Sequence, residues 1–152
     1  MKFIYFILAV IATAFLSSYI SNEDNLKVGD KAPEIRFTNN LSECLEEKNL
    51  KLINFWNPKK PSSRIANKTY AEYFRQNNDC DIQFISICTD SDDLLAKELL
   101  NYDGIDDCGL HFSYSDVDSR IFKDYNVADN PVAFLISSEG MILDVAPDIA
   151  NL

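Results

Sequence analysis

Strand-like apolar runs that alternate with amphipathic helical stretches, followed by two strands joined through a three-residue turn, predict an α/β fold. The expected architecture is a mixed sheet flanked by helices. Alternation demands crossover connections and hence a parallel core, while the closing hairpin adds an antiparallel edge. A chain of 152 residues with 47% hydrophobic side chains has room for one such domain and a short appendage.

The elements can be justified in order. "EDNLKVGDKAPEIRFTNN" reads as a linker entering an extended piece at Ile35–Phe37, and "LSECLEEKN" as a helical turn. "KLINFW" is a short buried-type strand. Ser62 or Ser63 is placed to cap the helix "RIANKTYAEYFRQN", where Ile65, Tyr70, Tyr73 and Phe74 recur at helical spacing. "DIQFISICTD" is the next strand, and "SDDLLAKELLNYDG" a helix with Leu94, Leu95 and Leu99 facing inward and Gly104 just beyond it. "LHFSY" is extended and "DVDSRIFKDYNV" a short capped helix. "PVAFLIS", "SEG" and "MILDVAP" form the hairpin. The last five residues leave little room for a further helix.

Residues 1–22 precede this domain as a signal peptide or membrane anchor. Lys2 supplies the positive start and Phe3 to Leu16 the apolar run. Counting on to Ile20 nearly reaches membrane-spanning length. The small pair Ala12 and Ala14 lies inside the run and would shorten it, which favours an uncleaved anchor with Lys2 inside and the domain outside. Residues 23–31 read as the linker and 32–152 as the domain. Contact with a membrane is expected only through residues 3–20, if they are retained.

Net charge is −10, and the part after residue 22 carries 13 Lys+Arg against 24 Asp+Glu, a net of −11. That balance argues against nucleic acid and anionic lipid as partners, because both need positive fields. Cys44, Cys80, Cys88 and Cys108 show no C-x-x-C spacing, so neither a zinc site nor a redox pair can be read from them. Outside the cytoplasm they could form one or two disulfides, with a Cys88–Cys108 pair among the possibilities. The acidic clusters "DSDD" and "DGIDD" lack EF-hand spacing and read as capping and loop acids. No metal or cofactor is expected. "NLS" at 40–42 and "NKT" at 67–69 match glycosylation sequons, which matter only in a eukaryotic secretory pathway.

The segment most in need of explanation is the turn after "KLINFW": Asn57, Pro58, Lys59, Lys60, Pro61, Ser62, Ser63 and Arg64. Taken with "VGDKAP", "INFW", "YNV…NP…FLI" and "EG", it resembles the thioredoxin-like fold. The likeness is to the membrane-tethered TlpA/ResA type of thiol–disulfide oxidoreductase, related to the alkyl hydroperoxide reductase and thiol-specific antioxidant group, and it spans residues 28 to about 146. Members typically read F-W-A-x-W-C-x-x-C-R after the strand. Phe55, Trp56 and Arg64 match, the intervening Pro61 is typical, and the two cysteine positions fall on Lys60 and Ser63.

That substitution removes the chemistry. A sulfur at a helix N-terminus is favoured as thiolate by unsatisfied amides and the helix dipole, and a second sulfur resolves the mixed disulfide. Lys60 can neither attack a disulfide nor accept one, and Ser63 has no evident base. His111 lies in another element, beside Phe112, and reads as a packed or exposed strand residue. The T-x-x-C of the peroxidase version is not satisfied either. The resemblance also implies a cis-proline loop at Asn130-Pro131, which in active relatives presents backbone groups to an extended substrate chain.

Two functions follow as expectations. The first is a redox-inactive module of the cell envelope, on the periplasmic side of the inner membrane or in the periplasm. It would bind a polypeptide partner through a groove made by Trp56, Pro61, Asn130 and Pro131. The second is a thiol–disulfide or antioxidant oxidoreductase using a non-standard thiol, with Cys88 favoured because it ends a strand on the same rim as Trp56.

Overall fold

In the computed structural model, residues 25–38, 45, 48–77 and 79–152 are described. The expected export segment and Cys44 lie outside them. Of the helical turn expected over 41–49, residues 45, 48 and 49 are described, and none of these three is helical.

Strand β1 (Leu50–Trp56) is the centre of the sheet, because its apolar residues alternate to both faces and all but the first two are buried. Helix α1 (Pro61–Gln76) follows, then β2 (Ile82–Cys88), buried throughout. Helix α2 (Asp93–Asp103) leads to the short strand β3 (Leu110–Phe112). A 3-10 turn at Tyr114–Asp116 and helix α3 (Arg120–Asp124) precede the hairpin of β4 (Ala133–Ser137) and β5 (Ile142–Val145). The sheet order is β3-β2-β1-β4-β5. β1 and β2 are parallel with Trp56 opposite Cys88, and β2 and β3 are parallel with Ser86 opposite His111. β4 runs antiparallel to β1 and to β5. The expected mixed sheet with an antiparallel edge is therefore present.

Helices cover both faces. On one, Tyr70, Ala71 and Phe74 of α1 pack on Leu52, Ile82 and Phe84, joined by Ile105 and Cys108. On the other, Ile121, Phe122 and Tyr125 meet Ile53, Phe55, Ile85 and Ile87, and Leu26, Ile35 and Phe37 of the entering chain extend this layer. Between α1 and the sheet lies a buried polar knot. The Asn67 Oδ1 accepts from Asn54 Nδ2 and from Ser86 Oγ, each at 2.8 Å. Burial of Asn67, 1% exposed, also removes the "NKT" sequon from any glycosylation reading.

Several local expectations are corrected. Neither Ser62 nor Ser63 caps α1. The helix begins earlier, with Lys60 at the N-cap, no side-chain cap bond, and Pro61 in the first turn. Proline suits that place because its fixed φ is helical and its missing N–H would be unpaired anyway. Ile65 and Leu94, expected inward, are 65% and 68% exposed: the buried side of α1 runs through Asn67, Tyr70, Ala71 and Phe74, and that of α2 is centred on Ala96. In α2 the buried contact falls on Ala96, capped upstream by Asp92, whose side chain accepts from the Leu95 amide. Gly104 ends α2 at φ +65, a conformation glycine adopts without strain. A 3-10 turn, Ile149–Asn151, follows β5.

Candidate functional site

The turn between β1 and α1 is built by short-range hydrogen bonds. Asn57 Oδ1 accepts from the Lys59 amide at 2.8 Å, and its carbonyl accepts from the Lys60 amide at 3.1 Å. Ser63 Oγ accepts from the Asn57 amide at 3.0 Å, so this hydroxyl closes the turn. Lys60 then points across a gap, where its ammonium donates to the carbonyl of Asp129, next to Asn130 and Pro131. The start of α1 and the proline loop thus face each other, as the family resemblance implied. Pro61 and Asn130 are exposed and Pro131 half-buried along this gap.

Two expectations about the groove are corrected. The Asn130–Pro131 bond is trans, since no cis peptide occurs among the described residues. Trans is the lower-energy isomer by about 0.5–1 kcal/mol. The chain after Pro131 already pairs with β1 in this form, Val132 O accepting from the Phe55 amide at 3.2 Å. Trp56 is 2% exposed and packs inward with Cys88 and Ala96, so it supports the rim from beneath and does not line the open gap.

The neighbouring cations are largely committed. Lys59 Nζ pairs with Asp90 Oδ1 at 2.9 Å, and Asp90 is held below the usual carboxylate range chiefly by that hydrogen bond. Arg64 grips Asp103 with two bonds, Nε–Oδ2 at 2.7 Å and Nη2–Oδ1 at 2.6 Å, while its guanidinium lies 5.5 Å from the ring centre of Tyr102. The side chain of Asp103 is 9% exposed, and its carboxyl is lowered first by the Arg64 hydrogen bond. The first clamp ties the turn before α1 to the loop after β2, and the second ties α1 to the last residue of α2.

Among the described cysteines, Cys80, Cys88 and Cys108 are free thiols. Cys88, 1% exposed, donates to Asp90 O at 3.4 Å, and burial pushes its thiol up to about 11. The Cys88–Cys108 pair considered from the sequence does not form: Cys88, at the end of β2, and Cys108, in the loop before β3, belong to different packing clusters. Cys108 instead receives the Arg75 Nε–H at 2.8 Å and donates to Asp107 Oδ1 at 3.2 Å, and burial raises its pKa. It shares a cavity of about 430 Å³ with Cys80, beside the first residues of β2 and β3.

His111, read from the sequence as a packed or exposed strand residue, is a half-buried member of β3. It lines a cavity of about 320 Å³ together with Trp56 and Cys88. The strand register that brings them together is the only signal, and it could not be read from spacing alone. Among the described residues no cluster of three or more His, Cys, Asp or Glu could hold a metal. No described helix is long and apolar enough to cross a membrane.

Neither a family model nor a curated protein matches the chain. Solved structures do. A thioredoxin-like protein from Parabacteroides distasonis superposes with a TM-score of 0.68 at 24% identity, covering 84% of this chain and 92% of that one. The thioredoxin domain of a thiol-disulfide oxidoreductase from Bacteroides vulgatus gives 0.64 at 15% identity, covering 81% and 90%. A secreted disulfide oxidoreductase of Mycobacterium tuberculosis, homologous to E. coli DsbE, gives 0.55 at 17%, covering 72% and 86%. The β1–α1 crossover, the facing proline loop and these superpositions lead to one statement: the chain has the thioredoxin-like fold.

Proposed function

We propose that this is an exported thioredoxin-fold protein that binds a polypeptide partner in the gap between the start of α1 and the loop before β4, without exchanging thiols and disulfides. The observation that carries the reading is the Lys60–Asp129 contact. The two elements that would bracket a thiol and its substrate in a redox relative still face each other, but an ammonium holds the near side. Ser63, the other position of the missing pair, spends its hydroxyl on the Asn57 amide. An extended chain lying there would meet the exposed residues Asp129 and Asn130 and the half-buried Pro131. Export rests on the sequence of residues 1–22, and the secreted M. tuberculosis neighbour is consistent with it.

The competing reading, redox chemistry at Cys88, loses support from the geometry. A thiolate is the nucleophile in exchange, and a buried thiol with a pKa of about 11 holds very little of it near neutral pH. The deciding experiment compares insulin disulfide reduction by the wild type and Cys88→Ser, alongside photocrosslinking of extended peptides from position 130. No turnover in either protein with a crosslinked peptide supports the proposal. Turnover that disappears in Cys88→Ser overturns it.

A further inference from the structure

We propose that the polypeptide partner presents a lysine or arginine side chain to a cavity beside the loop before β4, its stem on apolar walls and its cationic head at Asp129. The inference rests on the reading of the gap as a peptide site and names the residue type that site selects. The cavity holds about 440 Å³. Asp129 takes the Lys60 ammonium on its carbonyl at the gap, and Asp129 and Asn130 also line the cavity. A chain lying over these two residues can therefore drop one side chain into it.

The lining is mixed, and the mixture decides the occupant. Half-buried Leu26, Val132 and Val145 supply apolar wall, while exposed Asn126, Asp129 and Asn130 supply polar groups. Long basic side chains have the matching make-up, a methylene stem that buries well and a charged head that needs acceptors. No lysine or arginine lines the cavity. Among the described residues the Asp129 carboxylate enters no hydrogen bond or ion pair, since Lys60 reaches only the backbone carbonyl. Asn126 Nδ2 donates to Asn25 Oδ1, which leaves Asn126 Oδ1 as a further acceptor. An apolar side chain covering Asp129 would strip water from its carboxylate and return nothing, and an acidic one would add like charge. A basic side chain returns charged donors. The net charge of −10 favours the same partner at longer range, by drawing a cationic chain toward the protein.

The test uses the full chain and dye-labelled serine-threonine peptides that differ at one central residue: lysine, acetyl-lysine or glutamate. Acetylation keeps the stem and removes the charge. Fluorescence anisotropy at low ionic strength should show the lysine peptide binding about threefold tighter than the acetyl-lysine one, with the glutamate peptide weakest. Asp129→Asn alters one exposed side chain and leaves Lys60 its carbonyl, and it should abolish the advantage of lysine. Glu98→Gln, an exposed change on α2 that alters net charge by the same unit, should preserve it. Equal binding of the lysine and acetyl-lysine peptides would overturn this inference and leave the gap as a peptide site. An advantage that survives Asp129→Asn would overturn it too, assigning the preference to the overall field. Absence of binding by all three peptides would overturn both readings.

Discussion

The Lys60 ammonium reaches from the N-cap of α1 to the backbone carbonyl of Asp129, bridging two elements 69 residues apart in sequence. Its partner is a neutral dipole at an exposed residue, so removing the amine strands no buried charge. Lys60→Ala is expected to change unfolding free energy by less than about 0.5 kcal/mol in urea titration, as for most surface substitutions.

The same placement makes a gain-of-function test possible. Lys60→Cys with Ser63→Cys would put a thiol at a helix N-cap and a second one a single turn later. The first should be acidified by the helix N-terminus. Disulfide reduction should then rise above the wild-type background. A properly folded double variant that stays inert would show that the gap has lost its shape for substrate.

Thiol accessibility should separate the described cysteines. Cys80 is partly exposed, whereas Cys108 and Cys88 are 4% and 1% exposed, with both thiols raised by burial. Iodoacetamide at pH 8 is expected to modify Cys80 first, then Cys108, and Cys88 slowest. Mass spectrometry of the time course gives the order directly, and early modification of Cys88 would contradict the buried packing beside Trp56.

The polar knot is the most sensitive point of the core. Asn67→Ala leaves the donors of Asn54 and Ser86 buried without their shared acceptor, at a cost of about 1–3 kcal/mol for each stranded group. Ser86→Ala removes a donor and leaves the acceptor with one partner, so a loss of about 1 kcal/mol is expected. A double-mutant cycle between the two sites should show coupling, because they share one oxygen. Simple additivity would count against the hydrogen bond at that site.

Acid sensitivity should begin at the histidine. Burial, first among its causes, holds the His111 pKa below its ordinary 6.5, opposed by the carbonyls of Ile105 and Cys108 and the carboxylates of Asp106 and Asp107. The unfolded chain therefore binds this proton more readily, and stability falls as pH drops below about 6.5 until the folded pKa is passed. The paired carboxylates Asp90 and Asp103 are lowered, so their contribution is present above their unfolded pKa and is lost only in stronger acid. His111→Leu is expected to flatten the first phase and leave the second.

The strands and the three helices were legible because burial imposes a period on side chains that fill both faces of a sheet, as in "KLINFW" and "IQFISIC". The facing of Lys60 and the proline loop was legible only through resemblance, since no local pattern links residue 60 to residue 129. What escaped were facts set by packing across elements. The start of α1 was decided by Pro61 fitting the first turn better than a serine cap, and the inward stripe of α2 by Ala96, small enough to lie against Trp56 and Cys88. The pairing of Ser86 with His111 depends on a three-residue strand whose register the sequence does not announce.

Tyr70 of α1 donates its hydroxyl to the carbonyl of Pro147 at 2.7 Å, and Ile149 and Leu152 pack against the same cluster. The segment after β5 is thus a seal laid over helix α1. Detaching it, as in a Tyr70→Phe variant that also loses the Ile149 side chain, should loosen α1 before it disturbs the strands.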